Sequence, residues 1–365
     1  MTTVHLPQAG ETVPCETMRS VAANILRLAG MSAANAQIMA RGLTYAQEAG
    51  INSHGLAHLA AYIAGFESGA LNANPQFQVI TTLPATAILE ADQAPGVLAG
   101  QVACDDAVRR AAAVGIGAVS VRNSSHFGAA SAFVDRMVSQ GMVGLVLSNA
   151  SPTVAPRGAK TALFGTNPIA CGFPNADGAP IILDLATTAG SRARIRKAAA
   201  EGEQIPEHWA LDLDGLPTTN PKAALKGTMQ ALGGEKGTVL SLMVELICVA
   251  LSGGKPGRHA LPPQEPSDAP RNISHFFLAL NPDGYGASGS VAKRVADIAQ
   301  SITSAPPTTR GIAPRLPGQR AADHRAKAQT QGIVVSELLS KVLHDAHLAA
   351  RILKTKSLTH EDHTG

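Results

Sequence analysis

Apolar residues recur at helical spacing from Glu16 to Leu28 and again from Ala33 to Gln47, with Gly30 interrupting the stripe between them. This pattern predicts a helical N-terminal unit. A third helix is expected from Leu56 to Glu67, with Ser53 as its cap and Gly69 as its stop. Ser53, His54 and His58 lie at its opening.

Beyond Val79 the texture changes. Val79 to Leu83 and Ala85 to Ala91 read as short strands, and Ala103 to Val114 as an amphipathic helix with Arg109 and Arg110 facing outward. A helix from Ala129 to Gln140 leads into an apolar strand, Val143 to Leu147, and a further strand runs from Ile181 to Leu185. Strands alternating with helices predict an α/β sheet that is at least partly parallel. Ser191 to Glu203 reads as a basic helix and Leu213 to Leu225 as a polar, proline-containing connection. An apolar helix, Thr238 to Leu251, follows the turn GGEKG. Gly253 to Asn272 reads as an exposed loop, Ser274 to Leu280 as a strand, Ser290 to Ile302 as a helix and Ala305 to Gly318 as a proline-rich segment. A final helix is expected to end before a polar tail that starts at Lys354.

The stretch from Gly117 to Ser131 draws these elements together. Ala118 to Val121 forms a short β-branched run that stops at Asn123, Ser124, Ser125 and His126, just before a helix begins. In an α/β sheet, ligands gather at the carboxyl end of a strand, where loop side chains meet the free N–H groups of the next helix. A histidine placed there can donate or accept a proton near neutral pH. The strand from Ile181 similarly ends in Ala186, Thr187 and Thr188.

Composition narrows the range of partners. The 365 residues suffice for two cores, and the apolar fraction of 45% is that of an ordinary globular chain. A net charge of +3, dispersed along the chain, argues against nucleic acid and anionic membranes, and an aromatic content of 3% leaves little for base stacking. A small-molecule partner is expected instead. Cys15, Cys104, Cys171 and Cys248 form no CxxC pair or zinc spacing, so they read as reduced thiols. With no basic segment leading into an apolar one at the start, a cytoplasmic location is expected. Thr238 to Leu251 is too short to span a membrane and carries Glu245.

His54 and His58 share the spacing of a metal-binding HxxxH pair, but Gly55 stands where a metalloprotease carries glutamate and no third ligand is apparent, so no metal is expected. Gly115 and Gly117 form a lone GxG that precedes a strand rather than following one, which disfavours a Rossmann nucleotide fold. The chain also lacks a GxxxxGK[ST] phosphate loop and a GxSxG nucleophile elbow.

Six segments, NSHGLAHL, RNSSHFGAAS, FGTNPIACGFP, LDLATT, LGGEKG and RLPGQR, occur in the order found in one oxidoreductase family. On these motifs the chain, from about residue 14 to about residue 350, resembles the malate/L-lactate dehydrogenase family, which includes ureidoglycolate, sulfolactate and diketogulonate enzymes and a cyclic imine reductase. The resemblance implies an α/β, non-Rossmann, sulfolactate-dehydrogenase-like fold. In it a helical domain, residues 1–75 joined by C-terminal helices near 320–353, flanks a mixed-sheet cofactor- and substrate-binding domain, 76–319, with a polar tail at 354–365.

It also implies NAD(P)H-dependent interconversion of a small 2-oxo acid and its 2-hydroxy acid by a homodimer. Cofactor-binding positions carried over from the family are His126, Phe127, Gly128, Ala129 and Ala130; Asp184, Leu185 and Ala186; Glu235 and Lys236; and Arg315, Leu316, Pro317, Gly318, Gln319, Arg320 and Ala321. Either His54 or His126 exchanges the proton, Ser53 orients His54, and Thr166 contacts substrate.

This chain departs from the family pattern in ways that bear on function. His58 stands where the family places an arginine that grips the substrate carboxylate, which implies either a lower substrate affinity or a takeover of the carboxylate by Arg192, in a segment that faces the substrate in relatives. Ala193 replaces a glycine. Arg194 occupies the place of an acidic relay residue in cyclic imine reductases, which favours hydroxy-acid chemistry over imine reduction. Glu235 replaces an aromatic residue or histidine, and its charge would oppose the extra phosphate of NADPH, favouring NADH. The competing expectations are a cyclic imine (piperideine/pyrroline-2-carboxylate) reductase and a catalytically impaired nucleotide-binding relative.

Overall fold

The computed structural model describes residues 5–259, 269–286, 289–309 and 311–361. A short strand β1 (Thr12–Val13) precedes α1 (Cys15–Leu28) and α2 (Ala33–Glu48), the two helices that the apolar stripes predict. Ser32 caps α2 by accepting the Asn35 N–H. The third helix, α3 (Leu59–Glu67), starts later than expected, after two 3₁₀ turns at Asn52–His54 and Leu56–His58. Ser53 therefore does not cap it, because the extended backbone of Gly55 separates the two turns and leaves the Ser53 hydroxyl beside His54 instead.

The chain continues through β2 (Gln78–Leu83), β3 (Thr86–Ala94), α4 (Gly96–Val114), β4 (Ile116–Ser124), α5 (Ala130–Ser139), β5 (Val143–Ser148), β6 (Ile169–Phe173) and β7 (Ile181–Leu185). Then follow α6 (Arg192–Glu201), β8 (Ala210–Leu211), α7 (Pro221–Lys226), β9 (Thr228–Met229), α8 (Glu235–Ser252), β10 (Ile273–Leu280), α9 (Ser290–Thr303), α10 (Gln319–Gln331), β11 (Ile333–Val334) and α11 (Glu337–Glu361). The main sheet has seven strands in the order β2-β3-β4-β10-β5-β6-β7. Only β3 and β4 pair in parallel; every other neighbouring pair is antiparallel. It is a mixed sheet flanked by helical N- and C-terminal regions. One core joins α1, α2, α3 and α11, a second fills the space between the sheet and α4 and α5, and a smaller one gathers Val154, Ile195, Ile205 and Met229.

Several elements differ from expectation. Helix α4 begins at Gly96 rather than Ala103, and its first turn is pinned to the His126 turn by a bond from the Gly96 N–H to the His126 carbonyl, 3.1 Å. A Cβ at Gly96 would lie 2.2 Å from the Ser125 carbonyl oxygen, so only glycine allows this approach. Arg110 does not face outward. The turn between β2 and β3 folds over it, and the buried guanidinium donates to Asp106 (2.6 Å), Thr81 (2.6 Å) and the Pro84 carbonyl (2.9 Å).

Strand β6 lies inside a segment that the sequence marks only as a motif, since Cys171 and Gly172 interrupt its apolar run. The polar connection near Leu213 contains α7, capped by Asn220 with Pro221 at its first position. Of the loop from Gly253 to Asn272, residues 260–268 lie outside the described residues; Gly257 is buried and donates its N–H to the buried Glu245 at 2.5 Å, so the segment is not uniformly exposed. The final helix runs through Lys354 to Glu361, because its apolar stripe on α1 and α3 is continued by a helix-forming polar sequence.

Helix α8 packs Val244 and Cys248 on the sheet and leaves Val239, Leu242, Met243 and Leu246 exposed on its outer face. Among the described residues, no helix is long and apolar enough to cross a membrane. The four cysteines are unpaired.

Candidate active site

A cleft of about 1300 Å³ lies between the helical region and the sheet. That volume exceeds what a small acid alone requires. The segment from α2 to α3 supplies Tyr45, Ser53, His54, His58 and Tyr62; the turn from β4 to α5 supplies Ser125 to Ser131; β7 supplies Asp184 and Leu185; α6 supplies Arg192 and Arg196; and α10 supplies Arg320 and Arg325.

At its centre three imidazoles face one another. The ring of His126 lies 4.4 Å from that of His58 and 5.6 Å from that of His54, centroid to centroid. Ser53 Oγ and His54 Nδ1 are 3.0 Å apart, the expected orienting bond. His58 Nε2 donates to the Ser53 carbonyl at 2.7 Å, so that nitrogen is already engaged within the protein. Desolvation by the surrounding cleft walls lowers the pKa of His54, an exposed residue, and of the half-buried His58, with His58 adding repulsion at His54, Asp184 opposing the shift there and the Ser53 carbonyl opposing it at His58. His126 lies well below the usual histidine range, first through burial and then through His58, His54 and His275. Among the described residues, no group of three or more His, Cys, Asp or Glu side chains is placed to hold a metal ion.

Most of the residues singled out from the sequence line this cleft: Ser53, His54, His58, Thr166 and Arg192, His126 to Ala130, Asp184 to Ala186, and Pro317, Gly318, Arg320 and Ala321. Glu235, Lys236, Arg315, Leu316 and Gln319 do not. Glu235 forms an exposed ion pair with Arg157 at 2.5 Å, and Arg315 pairs with Asp323 at 2.9 Å. The charge expected to oppose NADPH is therefore partnered, and its residue is absent from the cleft wall. Arg194 lies 6.0 Å from the Trp209 ring and does not line the cleft either.

The structure adds residues that the sequence did not mark. Tyr62 bonds to His126, and Arg325 pairs with Asp135 while stacking 4.2 Å over the Tyr45 ring. His275 is buried beneath the site, parallel to the Phe127 ring at 4.6 Å, between Ser148 (2.8 Å) and Ser124 (2.9 Å). Burial pushes its pKa down to about 3. A tyrosine four residues after His58 was the one available signal, and it equally fits a buried core position.

The family model described as malate/L-lactate dehydrogenase matches residues 13–344. The chain belongs to the malate/L-lactate dehydrogenase family. It is 37% identical over 272 residues to the (2R)-3-sulfolactate dehydrogenase (NADP(+)) of Chromohalobacter salexigens, covering 73% of this chain and 81% of that protein. It is 34% identical over 311 residues to the Δ1-pyrroline-2-carboxylate reductase of Ancylobacter novellus, covering 85% and 90% of the two chains. The sulfolactate dehydrogenase structure from Methanocaldococcus jannaschii superposes with a TM-score of 0.86 at 29% identity, covering 93% of this chain and 97% of that one. As a member of the malate/L-lactate dehydrogenase family, the chain is an NAD(P)-dependent oxidoreductase.

The cleft fits such a cofactor. The N-termini of α5 and α10 both open on it, and neither Ala129 nor Gly318 offers a capping side chain. Helix N-termini left in this state present N–H groups and a positive dipole end to phosphate oxygens. Ser131 in the first turn of α5 gives its N–H to Asp184 at 2.9 Å, while its buried hydroxyl has no hydrogen-bond partner, as is also true of Arg325 Nε. Buried polar atoms left in this way on the wall of a cleft suit a polar ligand.

Proposed function

We propose that this enzyme interconverts a small 2-oxo acid and its 2-hydroxy acid, using NADH or NADPH, with His54 and His126 beside the reacting oxygen. The observation that carries this reading is the meeting of these two imidazoles, 5.6 Å apart, in the same cleft as two uncapped helix N-termini. The bound nicotinamide supplies the hydride; the protein's part is to hold the acid, exclude water and move one proton. Arg192 lines the cleft with one nitrogen donating to the Leu225 carbonyl at 3.0 Å, which steadies the rest of its fork for a carboxylate. His58, with Nε2 on the Ser53 carbonyl, serves the Ser53–His54 pair rather than the substrate.

The partner is a second copy of the chain, a reading supported by the exposed apolar face of α8, since Val239 and Leu246 are 61% and 56% exposed. The expected preference for NADH draws no support from Glu235, whose charge Arg157 offsets.

Cyclic imine reduction is the second reading, favoured by the likeness to the Ancylobacter novellus reductase. Loss of nicotinamide absorbance, followed with each cofactor against pyruvate, oxaloacetate, a sulfo-oxo acid, diketogulonate and a cyclic imine carboxylate, tests both. Turnover of an oxo acid is the expected result. Turnover of the imine alone would replace the first reading with the second, and cofactor binding without any turnover would leave a nucleotide-binding relative.

A further inference from the structure

We propose that Tyr62 is a positioning residue that holds the proton of His126 on Nδ1, so that Nε2 faces the cleft as the acceptor of the substrate hydroxyl proton; this rests on the dehydrogenase reading above. The Tyr62 hydroxyl lies 3.0 Å from the His126 carbonyl oxygen and 3.1 Å from His126 Nδ1. A phenol carries one hydrogen, and a carbonyl can only accept. Were that hydrogen given to Nδ1, the phenol and carbonyl oxygens would face each other at 3.0 Å with no proton between them, on a tyrosine that is only 3% exposed. When the phenol donates to the carbonyl, Nδ1–H donates to the phenol oxygen and both contacts become hydrogen bonds. The carbonyl also accepts the Gly96 N–H at 3.1 Å, so what selects this arrangement is that it alone turns both Tyr62 contacts into hydrogen bonds and leaves no bare O···O approach.

The neighbours agree with the assignment. Burial raises the Tyr62 pKa, which keeps the phenol a donor across the working range. His58 must carry its proton on Nε2, because it meets the Ser53 carbonyl there. Nε2 of His126 has no hydrogen-bond partner among the described residues, and the titratable groups around it are His54 and His58 on one side, Tyr62 on α3, and His275 on β10.

In the oxidation direction, Nε2 would take the hydroxyl proton, and a bound oxidised nicotinamide would supply the acceptor for hydride from the carbinol carbon, so that the C–O bond becomes C=O. The resulting imidazolium keeps its Nδ1–H on Tyr62, and reduction returns the Nε2 proton along the same path. Tyr62 thus sets which nitrogen reacts without touching substrate.

The test uses the full chain with ¹⁵N-labelled histidine. The ring nitrogens of His126, assigned by the loss of their signals in a His126→Gln sample, are expected to show protonation on Nδ1 near neutral pH. In Tyr62→Phe, which keeps the ring in the core, Nδ1 loses its acceptor. The tautomers then mix, kcat falls roughly tenfold or more with KM for the cofactor unchanged, and the acidic limb of the oxidation profile moves. A wild-type His126 protonated on Nε2 overturns the proposal, as does a Tyr62→Phe enzyme that keeps both the Nδ1 proton and the wild-type pH profile. If the variant does not fold, the wild-type spectrum decides alone. Because that spectrum needs no substrate, failure to find a turned-over acid is separable from failure of the tautomer assignment.

Discussion

The rings of His58 and His126 pack with centroids 4.4 Å apart, and hydrogen bonds to opposite neighbours, the Ser53 carbonyl and the Tyr62 hydroxyl, keep them in place. Burial lowers the pKa of both rings, and repulsion from His58 lowers that of His126 further.

Stability should therefore fall in mild acid. The folded-state pKa values of His54, His58, His126 and His275 are all depressed, so the unfolded chain binds more protons below the ordinary histidine value. Their contribution is complete above about pH 6.5 and is lost as pH falls from there toward the folded values, about 3 for His275. The melting temperature is expected to drop by about 3 °C or more between about pH 7 and about pH 5. Replacing His275 with Asn, which bonds but does not titrate, should flatten that slope; an unchanged slope would remove His275 from the account.

His58 offers a sharper distinction. In His58→Leu the Ser53 carbonyl loses its donor, the Ser53–His54 pair loosens, and kcat is expected to fall on the order of tenfold with little change in KM for the acid. A tenfold rise in KM at constant kcat would instead make His58 a direct contact to the substrate carboxylate.

Gly318 stands where α10 meets the cleft, with φ of +82° and with the site of a Cβ 2.0 Å from the Ile182 carbonyl oxygen. Both the backbone conformation and the close approach require glycine. Gly318→Ala should cost about 2 kcal/mol or more in denaturant unfolding and should weaken nicotinamide nucleotide binding, measured by titration calorimetry, because the α10 N-terminus must shift away from β7. Unchanged affinity would detach α10 from the cofactor site.

The sequence by itself determined the helical entry, the strands around Val79, Val143 and Ile181, and the order of motifs that marks the family, because each of these is written in a local period or in a contiguous run of residues. It placed His54 and His126 at the openings of their elements, but nothing in their spacing brings them together. Only the tertiary structure decided that Tyr62 reaches a histidine 64 residues away, that His275 lies under the site 151 residues from its Ser124 partner, and that Arg110 is roofed by the turn between β2 and β3. Periodicity records which face of an element is buried, not what that face meets. The partners of buried polar groups are chosen by chain segments distant in sequence, since once water is excluded each donor and acceptor must be satisfied by whatever packing brings beside it.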